Sequence, residues 1–184
     1  MNESEELLDI LSLDGKITGQ AARGVLYKTG ALHKAVNIFV VNSQGEILLQ
    51  KRSTKKMKYP GFWDLSVGEH VKPGEGYNEA ALRGIKEELG ISVEFFKVRN
   101  LHRQDSGFAS GEDKILDNEL VITYVAYYSG DVEIDPVEVE ESKFLSVERI
   151  NEMIKNQKFT SWFMEEWRFF DYGRAFVSRK LCPD

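Results

Sequence analysis

Short apolar runs separated by polar turns dominate the first half of the chain. Leu7 to Leu13 reads as a strand, and Asp14-Gly15 is a hairpin signal that lets Lys16 to Gly19 return beside it. Ala21 to Tyr27 is predicted to be a short helix. Ala35 to Val41 and Glu46 to Gln50 are apolar runs joined by Asn42-Ser43-Gln44-Gly45, a turn sequence, so a hairpin of two core strands is expected. Ser53 to Tyr59 is rich in lysine, is broken by Met57, and ends at the turn pair Pro60-Gly61. Phe62 to Val67 is predicted to be a short strand, and Gly68 to Gly76 a loop.

Helical spacing sets in next. Asn78 to Leu89 predicts a helix with Asn78 as its N-cap and Gly90 as its stop. Strands are expected at Val93 to Leu101 and Glu119 to Tyr128. Arg103 to Leu116 between them is polar and is predicted to be a loop. An acidic stretch, Asp131 to Glu141, leads to a last short strand at Lys143 to Leu145. Val147 to Asn156 and Ser161 to Arg174 are predicted helices, the second amphipathic, with Trp162, Phe163, Trp167 and Phe170 among its apolar positions. Strands, one helix, more strands and terminal helices describe a mixed α/β (α+β) sandwich rather than a doubly wound parallel sheet.

Composition narrows the picture. A length of 184 residues without repeats or low-complexity linkers suggests one domain, 1–184, with 1–30 as an N-terminal strand and helix extension and 147–175 as C-terminal helices. Lys and Arg total 24 against 30 Asp and Glu, a net charge of −6, which argues against a nucleic-acid polymer as partner. The one cysteine, Cys182, cannot staple a domain. No apolar run is long enough to cross a membrane, and the acidic N-terminus lacks a signal-peptide layout, so a cytoplasmic protein is expected.

The stretch Gly68 to Ile91, GEHVKPGEGYNEAALRGIKEELGI, carries the chemistry. A glycine-rich loop enters a helix whose last turn holds Glu87 and Glu88. Glu79, Arg83 and Glu87 recur every fourth residue, so they share a face and can pair. Acidic side chains at a helix C-terminus oppose the macrodipole, and hard divalent cations offset that cost. On helix physics alone this is a solvated Glu/Arg face.

The same stretch resembles the Nudix box. Glu75, Arg83, Ile85, Glu87, Glu88, Gly90 and Ile91 fall in register with it, as does the Pro-Gly-Glu of the loop. The resemblance implies a Nudix-type α/β/α sandwich around a mixed sheet, with a loop-helix motif that binds Mg²⁺ or Mn²⁺ and positions a diphosphate. It makes Glu87 and Glu88 metal ligands, pairs Glu75 with Arg83 to hold the loop, and gives Gly68 and Gly90 structural roles. Two positions depart: Glu69 stands where the box has its first glycine, and Gly84 where it has a glutamate that often serves as ligand or base. The base is then sought at Glu119 or Glu69.

The order of residues from about 6 to 175 also resembles the Nudix branch that includes type I isopentenyl-diphosphate isomerase. That resemblance implies a second metal site, with His33, His70, Asp117 and Glu119 as ligands and no third histidine near Leu26-Tyr27. It makes Arg52 and Lys56 diphosphate-binding residues, together with Arg83 from the box, and places Trp162 against the substrate. Gly68 stands where the isomerase has its reactive cysteine, Cys182 is in the tail, and the loop before Asp117 lacks the isomerase's tyrosine. The expected function is therefore a metal-dependent hydrolase of a nucleoside-diphosphate-type or other small diphosphate, with Glu87, Glu88 and Glu119 as catalytic residues. An isopentenyl-diphosphate isomerase and a ligand-binding Nudix domain without turnover are the alternatives. A monomer or homodimer is expected.

Overall fold

The computed structural model describes residues 3–110 and 113–171; Cys182 and the end of the predicted last helix lie outside the described residues. A small hairpin, β1 (Leu7–Leu11) and β2 (Ile17–Ala22), precedes the short helix α1 (Arg23–Thr29). The sheet that follows has seven strands: β3 (His33–Val41), β4 (Ile47–Arg52), β5 (Trp63–Asp64), β6 (Val67–His70), β7 (Phe95–Ser110), β8 (Asp113–Tyr127) and β9 (Val139–Leu145). Helix α2 (Tyr77–Leu89) follows β6, and α3 (Val147–Met153) and α4 (Ser161–Phe169) follow β9.

Helices cover both faces of this sheet, as the predicted sandwich requires. On one face Ala80, Ala81, Ile85 and Leu89 of α2 pack on Val36, Ile38, Val40 and Val67. On the other, Ile150 of α3 and Phe163 and Trp167 of α4 pack on Phe39, Val41, Leu49 and Val125. Strands buried on both faces read as continuous apolar runs, and Ala35 to Val41 is such a run.

β3 organises the sheet. One edge pairs in parallel with β8, from His33 opposite Glu119 to Val41 opposite Tyr127. The other edge is shared. β4 holds it only at Val40 and Val41, and β6 takes over from Ile38 to Ala35. β4 and β6 therefore part from a common line, and Gln50, Arg52, Gly68 and Glu69 come to border one opening.

Four predicted elements change. The predicted Arg103 to Leu116 loop is replaced, over its described residues 103–110 and 113–116, by the long antiparallel ribbon of β7 and β8, with Gln104 opposite Glu119 and Phe108 opposite Ile115. Its inward positions, His102, Gln104 and Ser106, meet polar partners rather than an apolar core, so the alternation that marks a strand is missing. The start of the predicted glycine loop, Gly68 to His70, is strand β6. Gly76, not Asn78, caps α2: its N–H donates to Glu79 at 2.7 Å, while Asn78 accepts from the Tyr124 hydroxyl at 2.7 Å. The last strand runs from Val139, longer than predicted, because it completes the outer edge of β4.

Candidate active site

The sequence-predicted site residues come together in two adjoining places. The inner one follows from strand register. Parallel pairing sets His33 directly beside Glu119, and antiparallel pairing of β6 sets His70 beside Ala35, two residues along from His33. One ligand atom from each of His33, His70 and Glu119 lies within 4.8 Å of the others. Nε2 of His70 is 3.4 Å and Nε2 of His33 is 3.7 Å from the Glu119 Oε1. Asp117, two residues before Glu119 on the same side of β8, brings Oδ1 to 3.3 Å from His33 Nε2.

These donors suit a divalent cation. His33 Nδ1 lies 3.0 Å from the Ala31 carbonyl, which can only accept, so the hydrogen is on Nδ1 and Nε2 is bare. That Nε2 and Asp117 Oδ1 are both buried without a hydrogen-bond partner. A bare imidazole nitrogen facing carboxylates is what a first-row cation uses, with the second nitrogen anchored on a carbonyl. Burial lowers the His33 pKa, which favours the neutral ligating form. Burial works to raise the Glu119 carboxyl, but His70, Lys58 and His33 hold it ionised, at about 2. A carboxyl held that low stays ionised, so no proton competes for its oxygens, and it is a weak base at neutral pH. The Tyr27 ring sits 6.4 Å from each histidine ring, in the segment where a third histidine was sought.

Around this cluster stand residues the sequence did not single out. Lys58 is buried, bonded to Asp117, and lies 3.1 Å from the Ser106 hydroxyl. Burial pushes its ammonium down to about 7. Its Nζ is 4.2 Å and the Arg52 guanidinium 5.3 Å from the Trp162 ring centroid, so two cations flank that ring. Asp64 holds the group together. It accepts from Thr160 Oγ1 at 2.8 Å, from Trp162 Nε1 at 2.7 Å and from Arg52 Nη1 at 3.1 Å. Tyr59, next to Lys58 in the chain, has φ at 52°, a left-handed backbone that no composition cue announced.

The outer place is a cleft of about 480 Å³ over the C-terminal half of α2 and the parted strands. Arg83 clamps its floor. Its Nε and Nη2 donate to Glu75 at 2.8 and 2.9 Å, Nη2 also to the His70 carbonyl at 2.8 Å, and Nη1 reaches Glu69 at 2.9 Å and Glu87 at 3.3 Å. The expected Glu75–Arg83 pair is therefore present. Arg83, also expected to bind substrate, has its donors turned to four protein residues, Glu69, His70, Glu75 and Glu87. Glu87 sits on the rim with its side chain 56% exposed. Glu88 is buried and receives a hydrogen bond from Gln50 Nε2 at 3.1 Å; burial, with Glu69 nearby, raises its pKa well above the ordinary value. Lys56 is paired with Glu3 and Glu138 at the cleft wall. Arg52, Gly68, Glu69 and His70 border both places, and the inner pocket holds only about 50 Å³.

The NUDIX domain model matches residues 31–163. The chain belongs to the Nudix family. This Nudix chain is 30% identical over 162 residues to an isopentenyl-diphosphate Delta-isomerase of Serratia proteamaculans, an alignment covering 87% of this chain and 88% of the relative. It is 37% identical over 92 residues, 50% of this chain and 51% of the relative, to an uncharacterised Nudix hydrolase of Streptomyces coelicolor. A crystal structure of the Deinococcus radiodurans protein DR0079 superposes with a TM-score of 0.69 at 23% identity, covering 89% of this chain and 98% of that one.

Among the described residues a second His/Glu group, His102 with Glu165 and Glu166, lies on the same face of the sheet, where Gln104, the register partner of Glu119, donates to Glu166 at 2.7 Å. There the Arg99 guanidinium already supplies the positive charge, 3.0 Å from Glu166 and 3.3 Å from Glu165. No helix among the described residues is long and apolar enough to cross a membrane.

Proposed function

We propose that this Nudix chain is a metal-dependent hydrolase of a small diphosphate, with the outer cleft as its substrate site. The observation that carries this is where the space lies. A volume of about 480 Å³ suits a nucleotide-sized ligand. The inner pocket, at about 50 Å³, has room for an ion or a water. The diphosphate therefore sits over Glu88 and Glu87, where Arg23, Arg52, Lys56 and Lys72 line the walls and supply positive charge toward the phosphate oxygens.

A bound Mg²⁺ or Mn²⁺ neutralises phosphate charge and makes water a better nucleophile. The chain's own part is positional. Gln50 orients the Glu88 carboxylate, Glu75 and Arg83 hold the loop against α2, and Asp64 fixes Arg52 and Trp162. Water oxygen bonds to one phosphorus as the bridging P–O bond breaks; the water's proton passes to solvent and the bridging oxygen leaves on the second phosphate product. The inner cluster of His33, His70, Asp117 and Glu119 serves as a second cation site.

An isomerase is the second reading, favoured by the same inner cluster and by the relatives of similar length. Moving a proton onto one carbon and off another needs two placed groups. Position 68, which borders both cavities, is glycine and offers none. The Trp162 ring is already flanked by Lys58 and Arg52.

The test is a panel of nucleoside di- and triphosphates, dinucleoside polyphosphates, nucleotide sugars and isopentenyl diphosphate, each with Mg²⁺ or Mn²⁺. Metal-dependent release of phosphate or monophosphate that is lost in Glu88→Gln supports the hydrolase. Dimethylallyl diphosphate as product replaces it with the isomerase. Tight binding with no turnover on any compound replaces it with a ligand-binding domain.

A further inference from the structure

The two departures from the Nudix box are neighbours in space. Position 84 lies on the face of α2 that packs against β6. A Cβ built there meets the Glu69 Cβ at 3.0 Å, the Val67 Cγ1 at 3.0 Å and the Glu69 Cγ at 3.2 Å. The helix can sit this close to the strand only because residue 84 is glycine, and the room a side chain would take is filled by the stem of Glu69.

Glu69 and the box glutamate one turn after Gly84, Glu88, then face the same cleft. Both carboxylates are withdrawn from solvent, and each raises the electrostatic cost of the other's charge. Glu69 accepts from the His70 N–H at 2.9 Å and pairs with Arg83 at 2.9 Å, which leaves lone-pair positions on both oxygens. A third, independent group points the same way. The amide of Gln50 is buried and gives its Nε2 hydrogen to Glu88, while its Oε1 has no hydrogen-bond partner. An orphaned amide oxygen beside the buried Glu88 carboxylate and the partly buried Glu69 carboxylate is a hard oxygen donor set.

We propose that Glu69 replaces, from strand β6, the carboxylate that α2 lacks at Gly84, and that Glu69, Glu88 and the Gln50 Oε1 together bind the divalent cation of the outer cleft. The carboxylate has been moved from helix to strand, and the glycine from strand to helix. The proposal rests on the hydrolase reading for its use but not for its test.

The test is Mn²⁺ binding to the full chain, followed by the electron paramagnetic resonance signal of free Mn²⁺, with circular dichroism as the fold control. Glu69→Gln keeps the side-chain volume and should bind one fewer Mn²⁺ per chain, or bind it at least about tenfold more weakly. The exchanged variant Glu69→Gly with Gly84→Glu should regain that binding event. An isotherm for folded Glu69→Gln that matches the parent chain overturns the proposal, as does a folded exchanged variant that fails to regain the ion. If the exchanged variant does not fold, the Glu69→Gln isotherm decides alone. Loss of the ion in Glu69→Gln with no turnover on any diphosphate would sink the hydrolase reading and leave this one standing. Turnover with an unchanged isotherm would do the reverse.

Discussion

Gly84→Ala turns on the sign of its effect. In an exposed helix position, replacing glycine with alanine stabilises by about 1 kcal/mol, because the unfolded chain loses freedom and the helix gains propensity. Here the new methyl would stand 3.0 Å from both the Glu69 Cβ and the Val67 Cγ1. Carbon pairs settle at about 3.5–4.0 Å, so α2 or β6 must move by several tenths of an ångström. β6 is paired to β3 through four residues, and Val67 is fully buried between α2 and the sheet, so neither side retreats freely. Inserting one carbon into such a contact costs about 1–3 kcal/mol. The net expectation is a loss of about 1 kcal/mol, or roughly 2–4 °C in the thermal midpoint for a chain of this size. Thermal unfolding by circular dichroism measures it. Repeating the substitution in a Glu69→Gly background removes two of the three close contacts and should make Gly84→Ala milder or stabilising, a coupling that a double-mutant cycle isolates. A Gly84→Ala chain that melts higher than its parent would refute the packing argument.

Asp64→Ala removes the acceptor shared by Arg52, Thr160 and Trp162 and should cost about 3–5 kcal/mol, because a buried charge loses its partner; a loss under about 1 kcal/mol in urea unfolding would contradict that. Burial, with Tyr124 nearby, raises the Tyr77 phenol to about 12. The folded chain then holds that proton above the unfolded value, so this stability is complete below about pH 10 and is lost as pH rises through about 12. Tyr77→Phe should flatten the alkaline limb of the stability profile, and an unchanged limb counts against the burial assignment. Mn²⁺ at a hundredfold excess over its dissociation constant should stabilise the chain by about 2.7 kcal/mol, and EDTA should reverse this. His33→Ala should abolish the part due to the inner cluster, which differential scanning calorimetry can separate.

The fold was legible wherever burial imposed a period. Ala35 to Val41, the helix ending at Gly90 and the amphipathic Ser161 helix all announce themselves, because their apolar positions repeat at strand or helix spacing. The β7–β8 ribbon was not legible, since its inward residues serve a polar network. At the site, Glu79, Arg83 and Glu87 could be read from fixed spacing along one helix, and Glu75 and Glu88 from the resemblance to the Nudix box. His33, His70 and Glu119 could be named by resemblance, but only strand register puts them side by side. Lys58 looked like one lysine among several. What distinguishes it is a left-handed backbone at Tyr59 and a distant Asp117, and neither leaves a mark on local composition. Tyr27 and Asp64 are likewise defined by what lies across the fold from them.

The parallel ladder of β3 and β8 also sets when the inner cluster can exist. His33 and Glu119 are register partners, yet roughly 85 residues of chain must close before they meet, at an entropic cost of about 4 kcal/mol by loop-closure scaling. A parallel pair of such sequence separation forms slowly and after local hairpins such as β1–β2. A cation that needs both strands has nothing to grip until that closure is complete. Metal should therefore leave the refolding rate nearly untouched and act on the reverse step, slowing the escape from the native state. The inner ion would then set how long the Nudix chain stays folded, while how fast it folds is left to topology.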